Sequence, residues 1–503
     1  MSEIPGQQPD PPAGPAIGAD EWVARSGERI QGRSGLAAPA LRAFDRVPRW
    51  ALFVIGFGVA ALIPSITSSD YVLRVGVVTL IYALLALGLN VSVGLAGLLD
   101  LGYVAYYGIG AYGYAMLSST QFNVHWPTWA TIPLVLVIAL LVGAFLALPS
   151  RRLVGDYLAI VTLFFGEIFY TVATQGYHVP GITIHGSHDF TGGPNGIANV
   201  DPFRMFGHQL TSDRAYFYFA LVCVIVVFAL LHFANQSRTG RAWRALRDDP
   251  LAAEVMSMPV ARLKVLALAV GACVGALAGT INAASIQGAF PDDYGTPVLI
   301  TIYAVAILGG AGSLTGAVAG AIVLNVLLEV LRTPDHARWI LYVAILAGLV
   351  AKLRPLNRLV TVLVGTALFG VVLHTIVGAT WPRGTKGLIP TGSDSFGHGG
   401  WLGWGLRHWL VLPANTYASG QNTVFNYLFV LLIGLVLALT LLHGWQRVAL
   451  LIPTVWLASL VWETVLAEQG TGPTRFLLLG AILVVLMAAR PQGLFGSPRV
   501  EIV

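Results

Sequence analysis

Charge, cysteine and lysine are all scarce in this chain, and each shortage removes a class of protein. Only 11% of the 503 residues are Asp, Glu, Lys or Arg, against about 25% in soluble domains. The net charge of +5 sits in short loops rather than in a basic domain, so it argues for membrane orientation and not for a nucleic-acid partner. The two cysteines, Cys223 and Cys273, lie inside apolar runs without a C-x-x-C pattern. They are packing residues, not a disulfide framework. The three lysines, Lys264, Lys352 and Lys386, follow no G-x-x-x-x-G-K-[ST] loop, which excludes ATP binding by that route. Carboxylates form no acid/base pair, and Ser, His and Asp form no nucleophile motif, so no catalytic residue is assigned. His178, His185 and His188 lack metal-ligand spacing, and no metal site is expected.

What is abundant is apolar length. Hydrophobic residues make up 56% of the chain and the mean hydropathy is +0.74. They recur in runs of about twenty, the length that crosses a bilayer core. The fold class is therefore an all-α polytopic membrane protein. Residues 1–48 include PGQQPDPPAGPAIGAD, which cannot build a core, and are expected to be a disordered cytoplasmic tail. No short apolar stretch with a cleavage site precedes Trp50, so no cleaved signal is expected.

About fourteen spans follow in order. The first six are Trp50–Ile66, Val72–Val93, Leu101–Ser118, Trp129–Leu148, Tyr157–Gln175 and Ala215–Ala234. Next come Leu263–Ser285, Val298–Leu308, Leu314–Leu331 and Trp339–Ala351. Leu359–Ala379, Phe425–Leu442, Val448–Leu466 and Phe476–Ala488 complete the series. Arg42, Arg46 and Arg49 hold the N-terminus inside, and the span count then puts Arg151, Arg152, Lys352, Arg354 and Arg358 inside as well. Residues 176–214 and 380–424 are long external loops, and both termini are cytoplasmic. The expected organisation is a tail (1–48), a core (49–353), extra membrane segments (354–474) and a terminal span with its tail (475–503). Arg338–Ala351 and Arg475–Ala488 share seven identities in fourteen positions, a weak internal similarity.

Residues 235–262, NQSRTGRAWRALRDDPLAAEVMSMPVAR, break the apolar pattern on the cytoplasmic side. Arg238, Arg241, Arg244 and Arg247 crowd one short helix, with Ala242, Trp243 and Leu246 on an apolar side. Asp249 stands where an N-cap belongs, Pro250 at the first position of a second helix, and Pro259 closes the segment. The residues alone leave two readings open, a docking surface or a solvated loop that only sets orientation.

Polar residues inside spans are costly and usually meaningful. Asn90, Asp100, Asp156, Glu167 and Asn282 are of this kind. Asp100 and Asp156 lie at span ends, where capping explains them. Glu167 is ten residues into its span and should face the bundle interior or a water-filled path. Gly271, Gly275 and Gly279, and Gly312, Gly316 and Gly320, repeat at i+4, the signature of close helix packing in lipid. GIGAYG at Gly108–Gly113 fits G-x-G-x-x-G formally but lies within an apolar helix and follows no strand.

LIYALLALGLNVSVGLAGLLDLGYVAYYGIGAY, GDYLAIVTLFFGEI, TGGPNGI, SRTGRAWRALRDDPLAAEVMSM and AILGGAGSLTGAVAGA together resemble the branched-chain amino acid ABC transporter permease family, in its second, larger subunit. The closely related urea permeases share the pattern. The likeness spans about Val72–Leu331, and ARPQGLFG is similar to the family's terminal signature. It implies a bundle resembling the type II, cobalamin-importer-like class, in the cytoplasmic membrane of a prokaryote. Implied partners are a homologous permease forming a heterodimer, two cytoplasmic ABC ATPases, an external solute-binding protein and membrane lipid. ATP would be used by those ATPases, with no cofactor on this chain. Arg241, Arg244, Arg247, Asp248, Asp249 and Glu254 fall in the family's coupling loop, and Asn90, Asp100, Tyr103 and Glu167 are candidates for the translocation path. The expected cargo is a branched-chain or related amino acid. Urea or short amides remain an alternative, as does an ion-coupled secondary transporter working through Glu167. Two departures stand out: a longer N-terminal tail, and about four added spans across roughly 354–472.

Overall fold

A computed structural model of the chain describes residues 49–67, 69–150, 156–176, 190–205, 208–332, 334–353, 356–385, 389–390, 396–397, 400–412, 423–442 and 444–469, with Gly480 and Gly493. The tail 1–48, the three external histidines and all of Phe476–Ala488 except Gly480 lie outside the described residues. Two compact units divide at Ile66. The first contributes one described helix, α1 (Arg49–Ile66), and the second runs from Thr67 onward.

In the second unit α2 (Asp70–Leu89) runs directly into a π-helical turn, Asn90–Leu95. α3 (Tyr103–Leu117), α4 (Thr128–Ser150), α5 (Asp156–Gln175) and α6 (Asp213–Gln236) follow. The arginine-rich stretch forms α7 (Arg238–Asp248) and α8 (Pro250–Val255) before α9 (Val260–Ile286). α10 (Thr296–Gly309) and α11 (Leu314–Val330) make a hairpin. α12 (Pro334–Lys352), α13 (Leu356–Thr380), α14 (Gly400–Arg407), α15 (Thr423–Leu441) and α16 (Trp445–Gln469) complete the described helices. Among the described residues, seven helices are both long and apolar enough to cross a membrane, and five shorter apolar helices accompany them.

Short antiparallel pairs tie the connections at the end of the bundle away from α7. Ser118–Ser119 pairs with Val124–His125, and Ile197–Ala198 pairs with Gly288–Ala289. The second pair joins the loop before α6 to the segment after α9, so backbone groups there are satisfied between distant parts of the chain.

α3 and α9 form the centre of the bundle, and their closeness has a simple cause. Gly275 faces the Tyr103 ring and Gly271 faces the Gly88 carbonyl, while Gly279 lies against the backbone of Tyr107 and Ala111. A methyl group at Gly279 would overlap that backbone, so only glycine permits this approach. Gly316 and Gly320 bring α11 against Gly309 and Val305 of α10 in the same way. Gly312 does not belong to that stripe. It precedes α11, in the turn between the two helices, with φ +92°.

The later helices are joined to the earlier ones by packing and by charge. Leu331, Ala337 and Trp462 form a core with Leu327, Ile340 and Leu341, which links α11, α12 and α16. Beside it Arg338 and Glu463 are both fully buried. Arg338 Nε donates to Glu463 Oε1 at 2.8 Å and Nη2 donates to Oε2 at 3.1 Å, while the Tyr342 hydroxyl reaches Oε1 at 3.4 Å. Removing one member of a buried pair costs about 3–5 kcal/mol, whereas replacing both with apolar groups is often tolerated. Glu463→Leu should therefore lower the melting temperature of the detergent-purified protein sharply, and Arg338→Met with Glu463→Leu should recover much of the loss. Equal melting of the single and double variants would show that the pair does not join the segments.

Candidate functional site

The site is built at the end of the bundle where α6 turns into α7. Ser237 caps α7 by accepting from the Gly240 N–H, and a Cβ at Gly240 would collide with the carbonyls of Ala234 and Asn235. The turn is tight enough for two arginines to reach back to α6. Arg241 Nη1 donates to the Gln236 carbonyl at 2.9 Å, and Arg244 Nη2 to the Asn235 carbonyl at 3.3 Å. Cations at a helix C-terminus satisfy orphan carbonyls and complement the helix dipole. Trp243 and Leu246 are buried, and the Trp243 indole N–H donates to the Leu263 carbonyl at 3.1 Å, fixing α7 to the start of α9. Asp249 caps α8, its Oδ1 accepting from the N–H groups of Leu251 at 2.8 Å and Ala252 at 3.0 Å.

Two faces result. The outer one carries Arg238, Arg241, Arg244, Asp248, Asp249 and Glu254, all exposed. It also carries Leu251, Val255 and Met256, which are 74%, 83% and 73% exposed. Sequence reasoning passed over these three, although their i, i+4, i+5 spacing behind a helix cap was a signal for one apolar face. Arg247 belongs to the inner face. It is half-buried, and its guanidinium donates to the Gly94 carbonyl at the π turn.

Of the proposed path residues, three gather near this end and one does not. Asn90 is buried, with Oδ1 accepting from the Gly312 N–H at 2.7 Å. Asp100 is buried in the connection between the π turn and α3. Its Oδ1 accepts from the Gly102 N–H at 3.2 Å and its backbone carbonyl accepts from the Tyr303 hydroxyl at 2.6 Å. It does not cap α3, whose N-cap position is Gly102. Tyr103 is fully buried and packs edge-on against Tyr106.

Of the two surroundings expected for Glu167, the interior of this chain's own bundle is not the one it occupies. It is exposed on α5, on the same side as the exposed Ile160 and Phe164. It borders a shallow depression that Leu101, Tyr170, Tyr294 and Leu299 help to line. Asp156 is the first residue of α5. Asn282 is buried in α9, and both cysteines are free and half-buried. No cluster that could hold a metal ion is present among the described residues.

Residues 71–334 match the family described as branched-chain amino acid transport system / permease component. The chain belongs to that family: it is a multi-pass permease component and not an enzyme. It is 33% identical over 304 residues to the high-affinity branched-chain amino acid transport system permease protein LivM of Escherichia coli K12, covering 56% of this chain and 68% of the relative. LivM of Salmonella typhimurium is 34% identical over 281 residues, covering 51% and 63%. LivH of Salmonella typhimurium is 26% identical over 252 residues, covering 49% and 80%. The chain thus spans about two thirds of the LivM proteins it matches. No solved structure matches it significantly.

Burial pushes the Asp100 carboxyl up to about 7, against the opposing pull of the Gly102 N–H. In an unfolded chain the value is about 3.9. The folded form therefore binds the proton more tightly, and stability is lost as pH rises between the two values. Asp100→Asn keeps the acceptor oxygen and removes the charge. The variant should melt above wild type at pH 8, with the gap closing as pH falls below about 7. A gap that does not change with pH would contradict this account.

Proposed function

We propose that this chain is one membrane subunit of an ATP-driven importer of branched-chain or related amino acids, with α7 and α8 as the seat of a cytoplasmic ABC ATPase. The observation that carries this reading is the outer face of those helices. A short helix between two spans has no structural need to expose Leu251, Val255 and Met256 together. Exposed apolar side chains on a loop that also exposes Arg241, Arg244, Asp249 and Glu254 suit a protein partner that buries the former and pairs with the latter. Family membership and the printed functions of the relatives support the choice of cargo.

The proposed assembly contains a homologous permease as heterodimer partner, two ATPases that use the ATP, and an external solute-binding protein. The bundle is of the type II, cobalamin-importer-like class with about fourteen membrane segments, in the cytoplasmic membrane of a prokaryote, with both termini inside. Transport proceeds by alternating access as the ATPases move the coupling loop. A carboxylate in mid-span avoids lipid, so the exposed face of α5 around Glu167 turns toward the translocation path.

Leucine uptake into vesicles holding the assembled complex should require ATP and persist without an ion gradient. Leu251→Asp with Val255→Asp should strip the ATPase from the purified complex. Arg241→Glu with Arg244→Glu should reduce uptake by about tenfold or more at equal expression, the scale of losing charge-assisted contacts at a rim. Gradient-driven uptake without ATP would sink the importer assignment, and unchanged uptake in both double variants would sink the docking assignment. Ligand screening of the cognate solute-binding protein separates amino acids from urea and short amides.

A further inference from the structure

Arg247 is set apart from the other arginines of the loop by where its side chain goes. Arg241 and Arg244 turn back to the last carbonyls of α6. Arg247 instead enters a slot made of three pieces of backbone. Its guanidinium donates to the carbonyl of Gly94. Its stem lies over Gly97, where an added Cβ would come within 2.8 Å of the arginine Cγ. Its head lies beside Gly312, where an added Cβ would come within 2.6 Å of Nη1. Gly97 and Gly312 have φ of +70° and +92°, a backbone region that disfavours side chains independently of the arginine.

The pieces forming the slot are turns at the ends of membrane helices. Gly94 lies in the π turn that finishes α2, where Ala96 N–H donates to the Val91 carbonyl at 3.1 Å. Gly312 lies in the turn between α10 and α11. Its N–H donates to Asn90 Oδ1, so the two turns are tied to each other as well as to Arg247. A π turn differs from α-helix by one residue of register, and such turns often mark functional positions. Rewinding this turn to α-helical register would shift the residues beyond it by one position, the kind of discrete step that coupling between distant sites requires.

We propose that Arg247 is the positioning residue of the coupling loop, transmitting displacement of the docked loop through Gly94, Gly97 and Gly312 into a rewinding of the turn Asn90–Leu95. This rests on the reading that α7 and α8 seat an ATPase, but assigns Arg247 to the opposite face from the docking contacts. The side chain acts inside the permease, and the ATPase does not touch it.

The test uses the complete transporter in proteoliposomes with three variants, Arg247→Met, Arg247→Lys and Gly312→Ala. Two quantities are read: the ATPase retained in the purified complex, and solute taken up per ATP hydrolysed. Arg247→Met should retain the ATPase while uptake per ATP falls about tenfold, the scale of one charge-assisted hydrogen bond. Arg247→Lys should recover part of the ratio, since an ammonium can reach the Gly94 carbonyl but cannot fill the guanidinium slot. Gly312→Ala should lower the ratio with the arginine still present.

Loss of the ATPase from Arg247→Met would overturn the proposal by making Arg247 a docking residue. A ratio within about twofold of wild type in Arg247→Met would also overturn it. If Arg247→Met does not accumulate, Arg247→Lys and Gly312→Ala decide on the same ratio, and wild-type values in both reject the proposal. Uptake by the wild-type complex without ATP would remove the importer reading, and this inference with it, before any variant is compared.

Discussion

A backbone carbonyl that is buried without a partner is expensive, and within a bilayer no water is available to satisfy it. That constraint governs the places where this chain stops being helical. Gly94 at the end of the π turn receives Arg247 and the Leu263 carbonyl at the start of α9 receives Trp243, both shielded from solvent, while the more exposed last carbonyls of α6 receive Arg241 and Arg244. All four donors come from α7. One soluble eleven-residue helix thus satisfies backbone from three membrane helices, and it cannot shift without changing those contacts.

Between the helix ends, packing is set by small residues instead of by apolar bulk, because lipid is as apolar as leucine and offers no reason for helices to meet. The glycines of α9 let α3 come close, and the cost falls on side chains that must then fit around the contact. Tyr103, Tyr106, Tyr107 and Tyr112 are buried along α3. The hydroxyls of Tyr103, Tyr106 and Tyr112 make no hydrogen bond of good geometry. Buried hydroxyls in that position are a reservoir of unmet polarity on a helix that a transport cycle would have to hydrate or repack.

Much of this was legible from the residues, and the failures have physical causes. Asp249 and Pro250 announced the break between α7 and α8 because capping chemistry is local, and the structure places both at those positions. The order of apolar runs was legible because bilayer thickness fixes their length. The π turn was invisible, since Asn90–Leu95 continues the apolar pattern of α2 and only hydrogen-bond register distinguishes it. Glu167 was hard to orient because α5 is apolar on most sides, so periodicity does not tell bundle from exterior. Gly312 matched a packing stripe by spacing alone, yet Gly310 and Ser313 end one helix and begin the next around it. The arginines held a signal that was not used. At about 100° per residue, Arg247 is turned about 120° from Arg241 but only about 40° from the buried Trp243, which puts it at the edge of the arginine face nearest the buried side.

The family match ends at residue 334, and a fully buried ion pair begins four residues later at Arg338. A membrane helix that acquires an ionised group must supply its counter-charge from protein, and here that comes from Glu463, 125 residues away. The partner lies in a helix beyond the family core, within the segment that sequence comparison leaves unexplained. If α16 were a loosely attached anchor, apolar contacts alone would have served, since any apolar face can lie against lipid or protein. A bidentate pair permits one register only, and Tyr342 and the Leu331–Ala337–Trp462 core hold the same register. α16 is therefore fixed to α11 and α12. Since α11 begins at the turn that holds Gly312, the slot for Arg247 and the contact with α16 are connected through one continuous helix.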